Sequence, residues 1–152
     1  MNYDSMCEPT ECRMVVATAD IAGFCKACQG KSDLDTFRML DEFCHLVDGL
    51  TTDAGGRVLK FMGDAALMVY PEENAAAAVA SLASLRSEAQ AIWTDFDETC
   101  VVRTKAHVGS VVCGPMGPAK RFDAIGNTLN ELFRMPWDGP ELSVALSQLV
   151  GA

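Results

Sequence analysis

The chain has no apolar run approaching the roughly eighteen residues that a membrane-spanning helix needs, so no membrane span is expected. Positive charge is also scarce: 12 Lys and Arg stand against 21 Asp and Glu, a net charge of −9. A nucleic-acid backbone calls for a basic surface, so DNA and RNA are excluded as expected partners. A free nucleotide is not excluded, because a few local cations and metal ions can hold one. The first residues, Met1-Asn2-Tyr3-Asp4-Ser5, carry no basic segment leading into an apolar one. No secretory leader is therefore expected, and the expected compartment is the cytoplasm. Internal repeats are absent, and apart from one Ala-rich run so is low complexity. Seven cysteines, an odd number, fit a reducing compartment better than a disulfide framework. At 152 residues the chain has the length of one domain with a single sizeable core.

The stretch that organises the rest is residues 55–70, GGRVLKFMGDAALMVY. Two apolar runs of strand length flank Gly63-Asp64, which predicts a β-hairpin with a two-residue II′ turn. Simple alternation puts Leu59 and Phe61 on one face and Val58, Lys60 and Met62 on the other. A lone Lys thus lies inside an apolar strand, four residues before a carboxylate at a tight tip. Locally these read as an edge-strand charge and a solvated turn. A chemical role requires a second carboxylate and a phosphate cradle elsewhere.

Residues 1–12 are read as a flexible arm and 13–152 as the folded domain. Met14 to Ala17 predict a buried central strand ending at Asp20, with a turn through Ile21, Ala22, Gly23 and Phe24. A carboxylate at a strand end before a Gly turn and a helix is a favourable place for phosphate chemistry. Cys25 and Cys28 form a CxxC, and Cys7 and Cys12 could be imagined completing a zinc set; without a supporting motif, packing is the simpler reading. Ser32 is placed to cap a helix whose apolar stripe comprises Leu34, Phe37, Leu40, Cys44, Val47 and Leu50, ended by residues 53–56. An Ala-rich helix over about 74–93 follows, with Trp93 as a core anchor. Residues 100–114 read as two strands, or as one strand bent by a bulge at Gly109. His107 within them is read as a satisfied strand residue ahead of a catalytic one. Residues 114–118 read as a loop. A helix over 127–135, stopped by Pro136, puts Asn130 and Arg134 on one side. Residues 142–145 predict a last short strand, and 147–150 a helical turn.

The order strand, helices, hairpin, helix, strands, helix predicts an α/β fold, an α+β sandwich with a ferredoxin-like βαββαβ core. Three blocks in this order resemble the class III nucleotidyl cyclases, the adenylate and guanylate cyclase catalytic domains. They are Ala19-Asp20-Ile21-Ala22-Gly23-Phe24, then Leu59-Lys60-Phe61-Met62-Gly63-Asp64-Ala65, then Arg121-Phe122-Asp123-Ala124-Ile125-Gly126-Asn127-Thr128-Leu129-Asn130 continuing to Arg134. The resemblance runs from about Val15 to Ala145 and makes 13–152 the catalytic domain.

The resemblance implies that Asp20 and Asp64 hold two divalent ions per site, Mg²⁺ or Mn²⁺. It implies a phosphate-binding turn at Ile21, Ala22, Gly23 and Phe24, and a further phosphate contact at Arg103. Arg134 matches the transition-state arginine and Asn130 the residue that orients the ribose. Lys60 and Asp123 match the purine-reading pair, whose chemistry suits adenine and hence ATP. Guanine readers of the family usually carry Glu and a small residue there. The family draws its metal carboxylates from one subunit and the purine pair, the Asn and the Arg from its partner. A chain carrying both sets is therefore expected to act as a homodimer. The expected activity is adenylate cyclase. The alternative is a non-catalytic cyclase-like module that binds nucleotide or a partner, favoured by a final strand pair that the sequence does not show.

Overall fold

The computed structural model describes residues 1–151. At its centre is β1 (Thr10–Ala22), in which Met14, Val15, Val16 and Ala17 are wholly buried. There follow α1 (Phe24–Cys28), α2 (Asp33–Asp53), β2 (Arg57–Met62), β3 (Ala65–Pro71), α3 (Ala75–Phe96), β4 (Val101–Met116), β5 (Arg121–Ile125), α4 (Asn127–Arg134) and α5 (Val144–Val150). The strands form one antiparallel sheet in the order β2-β3-β1-β4-β5. Its first four strands have the ferredoxin-like order and connections, with β5 added beyond β4. Among the described residues no helix is long and apolar enough to cross a membrane.

Local chemistry accounts for most boundaries. The Ser32 hydroxyl accepts the Asp35 N–H at 3.1 Å and starts α2. The hairpin tip is left-handed at Gly63, φ +63°, and not at Asp64, the sign pattern of a II′ turn. Pro136 follows α4 closely and prevents its continuation.

The sheet has two different faces. On one, α2 and α3 bury Phe43, Val47, Leu82, Leu85 and Trp93 against Val15, Ala17, Met68 and Ala106. The Trp93 ring meets Phe24, Phe43 and Phe96 edge-on at 5.8, 5.8 and 5.4 Å. On the other face, Met14, Val16, Leu67, Val69, Val111 and Cys113 are covered by Leu129 and Leu132 of α4 and by Tyr3.

Several expectations change. β1 continues past Asp20 to Ala22, because Ile21 and Ala22 still pair with Val102 and Val101 of β4. β2 is bulged between Val58 and Lys60. The extra residue breaks the alternation: Leu59 and Lys60 both lie on the α4 side, whereas Val58 packs toward α2 and α3. Gly109 makes no bulge; β4 is one strand in unbroken register with β1 through Met14↔Gly109. Residues 114–116 are strand, paired with β5, so the loop shrinks to the turn after Met116. Pro115 is tolerated because β1 pairing ends at Cys113. In α2 the buried line is Met39, Phe43, Val47 and Thr51, which leaves Leu34 and Phe37 exposed. Of residues 142–145, only Leu142 makes a single bridge, to Ala106, and α5 begins at Val144. The arm expected over residues 1–12 is packed in part: the Tyr3 hydroxyl donates to the Gly55 carbonyl at 2.8 Å, and β1 already starts at Thr10.

Candidate functional site

The first group of candidate residues lies where β1 meets the hairpin tip. Asp20 pairs in register with Arg103 of β4. The guanidinium spans the carboxylate, with Nε to Oδ1 at 2.8 Å and Nη2 to Oδ2 at 2.6 Å. This bidentate ion pair raises the Arg103 pKa further. Because β3 pairs with β1 at Ala66↔Ala19, the tip brings Asp64 alongside Asp20. Burial raises the Asp64 carboxyl above its usual range. Hydrogen bonds from its own N–H and that of Ile21 offset part of the rise, the Asp20 charge adds to it, and Arg103 subtracts.

Two converging carboxylates, one of them desolvated, make a hard-oxygen donor set. Among the described residues no group of three or more His, Cys, Asp and Glu gathers to hold a metal. A cation here would take its remaining oxygens from the main chain, water or a bound phosphate, which fits Mg²⁺ or Mn²⁺. The imagined zinc set does not form: Cys12 Sγ lies 3.4 Å from Cys113 Sγ, and Cys25 is exposed on α1. The turn expected over residues 21–24 is shorter than that. Ile21 and Ala22 belong to β1, and the Ile21 N–H is directed to Asp64. Only Gly23 turns the chain, at φ +84°, where a Cβ would stand 3.2 Å from the Thr99 carbonyl oxygen. Phe24 is held by its ring contact with Trp93.

The second group lies across the α4 face. β2 and β5 are opposite edges of the sheet, yet the sheet curls far enough for them to touch. Lys60 Nζ donates to Asp123 Oδ2 at 3.0 Å, while Asp123 Oδ1 accepts the Ala124 N–H at 2.9 Å. Lys60, but not Asp123, lines a largely apolar cavity of about 330 Å³, together with Met62, Leu67, Ile125, Asn130 and Phe133. Arg134 lies one turn beyond Asn130 on α4 and is exposed. Neither Asp20 nor Asp64 lines this cavity. One chain therefore gathers the candidate residues into two groups and does not unite them.

Between the groups, alternate residues of β4 present Arg103, Lys105, His107 and Gly109 to α4. A Cβ at Gly109 would come 2.5 Å from Thr128 Oγ1, so the glycine permits close docking of the helix start. Thr128 donates to the Ser110 carbonyl at 2.7 Å. His107 Nε2 lies 2.7 Å from Glu131 Oε2, and its Nδ1 lies 2.8 Å from Ser143 Oγ, the cap of α5. It is a satisfied strand histidine. Lys105 Nζ donates to the carbonyls of Phe133 and Met135 at 3.2 and 2.7 Å. Arg103 and Lys105 both lie against the Trp137 ring, 4.6 and 4.4 Å from its centroid. Lys105 and Trp137 escaped the sequence reading. The available signal was the two-residue spacing of Arg103, Lys105 and His107, which puts two cationic side chains and a histidine on one strand face.

The family model of the adenylate and guanylate cyclase catalytic domain matches residues 7–152. An adenylate cyclase of Anabaena cylindrica is 25% identical over 136 residues, covering 81% of this chain and 26% of that protein. Guanylate cyclase 2G of Rattus norvegicus is 27% identical over 139 residues, covering 86% of this chain and 13% of that protein. The chain thus spans about a quarter or less of the length of these relatives. Among solved structures, the adenylyl cyclase CyaB from P. aeruginosa superposes with a TM-score of 0.84 at 17% identity, covering 95% of this chain and 83% of that one. The guanylate cyclase domain of RhGC from Catenaria anguillulae, in complex with GTP, superposes with a TM-score of 0.77 at 21% identity, covering 93% and 84%. With its antiparallel βαββαβ core and its match over nearly the whole length, the chain belongs to the family of adenylate and guanylate cyclase catalytic domains.

Proposed function

We propose that this domain is an adenylate cyclase that converts ATP to 3′,5′-cyclic AMP and pyrophosphate at two sites shared between two copies of the chain. The observation that carries the base choice is the Lys60–Asp123 pair, whose lysine lines the apolar cavity. The ammonium offers a donor to the adenine ring nitrogen and the carboxylate an acceptor for its exocyclic amine. The ring itself fits the apolar walls of the cavity. Asn130, on the same wall, orients the ribose. Arg134 projects from the end of α4 to meet the negative charge that develops on the phosphates. Asp20 and Asp64 hold the divalent cations, whose charge, when they are bound, neutralises the triphosphate and favours the ribose 3′-oxygen as nucleophile. The new bond joins that oxygen to the α-phosphorus, the bond to the β-phosphate oxygen breaks, pyrophosphate leaves, and the hydroxyl proton passes to solvent.

The separation of the two groups supports the shared site. So do Met62, Ile125 and Phe133 around the cavity, 45, 56 and 49% exposed, an apolar rim that a second copy would cover. The test is incubation of the pure domain with ATP or with GTP in the presence of Mn²⁺ and chromatography of the products. Cyclic AMP as the dominant product is expected. Preferential formation of cyclic GMP would overturn the base choice, and no cyclic nucleotide from either substrate would overturn the activity.

A further inference from the structure

We propose that Lys105 is a positioning residue for Arg134: it fixes the last turn of α4 from beneath and, through Trp137, ties that turn to the Arg103–Asp20 pair. This rests on the cyclase reading above, since Arg134 has a task only in that reaction.

Lys105 is only 4% exposed. Lysine is rarely buried unless paired, and a buried ammonium needs partners to offset its lost hydration. Among the described residues Lys105 has no carboxylate within ion-pair distance. Its partners are the Phe133 and Met135 carbonyls, the two main-chain oxygens that flank Arg134. An α-helix leaves its last carbonyls unpaired, and a cation there also suits the helix dipole. The ammonium thus pins the backbone on both sides of Arg134, while Arg134 itself stays exposed. Trp137 adds a lateral constraint, with Lys105 and Arg103 both against its ring. Arg103 in turn grips Asp20. A continuous series of contacts therefore runs from the carboxylate end of the chain to the helix that carries Asn130 and Arg134.

A lysine that merely holds the fold together would lower stability wherever Arg134 stands. A positioning lysine acts through Arg134, and a double-mutant cycle separates the two. Lys105→Met keeps the length of the side chain and removes its charge. It should lower kcat about 10- to 100-fold. KM for the nucleotide should stay within about twofold, because Lys60, Asp123 and the cavity are untouched. In an Arg134→Ala background the same change should cost less than about threefold. Trp137→Leu, at a partly exposed position, is the second variant should the buried substitution compromise folding. It should lower kcat about 3- to 10-fold with the same KM, and again little without Arg134. An unchanged kcat in Lys105→Met, or equal losses with and without Arg134, would overturn the proposal while leaving an active wild type and the cyclase reading intact. A folded wild type that forms no cyclic nucleotide would overturn that reading and the positioning role with it.

Discussion

Trp93 lies wholly buried among three aromatic rings on the face of the sheet covered by α2 and α3. On the opposite face α4 also buries Leu129 and Leu132, but Ile125 and Phe133 stand about half exposed, and polar contacts at Thr128, Glu131 and the last carbonyls of α4 add to its hold. The first face is apolar packing, non-directional and cumulative. The second adds directional contacts to a smaller apolar cluster: each polar contact fixes the placement of one part of α4 and adds little to stability by itself. The contrast teaches where the chain keeps its stability and where it keeps its chemistry. All candidate residues other than the turn lie on the second face or at the strand ends beside it.

The largest effect expected from this contrast is on stability. Trp93→Ala should cost about 3–5 kcal/mol in urea unfolding, through lost burial and the cavity left behind. Phe133→Ala should cost less than about 0.5 kcal/mol, as surface substitutions do, when measured dilute enough for any dimer to dissociate. Similar losses for the two would break the comparison.

A smaller effect is expected on substrate choice. Lys60→Glu combined with Asp123→Ala should move the ratio of ATP to GTP turnover toward GTP by about 10- to 100-fold, since each buried mismatch costs about 1–3 kcal/mol. The fold should not change, because Lys60 is substantially exposed and the pair lies at the sheet edges. A ratio that does not move would show that the pair does not read the base.

The smallest effect sharpens the view that the open face sacrifices stability. Asp64 is raised above its ordinary value of 3.8 in the folded chain, mainly by burial. The folded state then binds a proton more readily than the unfolded one. Its contribution to stability is full below the ordinary value and is lost as pH rises through the raised one. At pH 7 and without divalent cation, Asp64→Asn should therefore be slightly more stable than wild type. The difference should close as pH falls below the ordinary value of 3.8, where both side chains become neutral in the folded and the unfolded chain. Thermal midpoints across that range measure it, and a variant less stable at pH 7 would contradict the assignment.

Much of this architecture was legible because local chemistry announces it. Gly63 marks the hairpin tip, Ser32 the start of α2, Pro136 the end of α4. What escaped depends on partners distant in sequence. The bulge at Leu59 has no composition signal, since an apolar residue suits either face. β5 was hidden by Pro115 and Pro118, and a proline is harmless where β4 has already parted from β1. Leu34 and Phe37 continue the apolar spacing of α2 beyond the point where the sheet lies beneath it. Among the candidate residues, Asp20, Asp64, Lys60 and Asp123 could be named from motif order. Their pairing could not: the Lys60–Asp123 contact needs the sheet to curl edge to edge, and the Arg103–Asp20 pair needs the β1–β4 register. Lys105 meets its carbonyls 28 and 30 residues further along the chain, beyond the reach of any local pattern.

The central claim is that Asp20 of one copy and Arg134 of another serve the same reaction. Asp20→Ala and Arg134→Ala proteins should each be nearly inactive alone. When they are mixed and allowed to exchange subunits, about half of the dimers become heterodimers, each with one site carrying both lesions and one site intact. Cyclic AMP formation by the mixture should recover to roughly a quarter of the wild-type rate and rise with protein concentration as dimers form. A mixture that stays inactive after demonstrated exchange, beside an active wild type, would contradict the account.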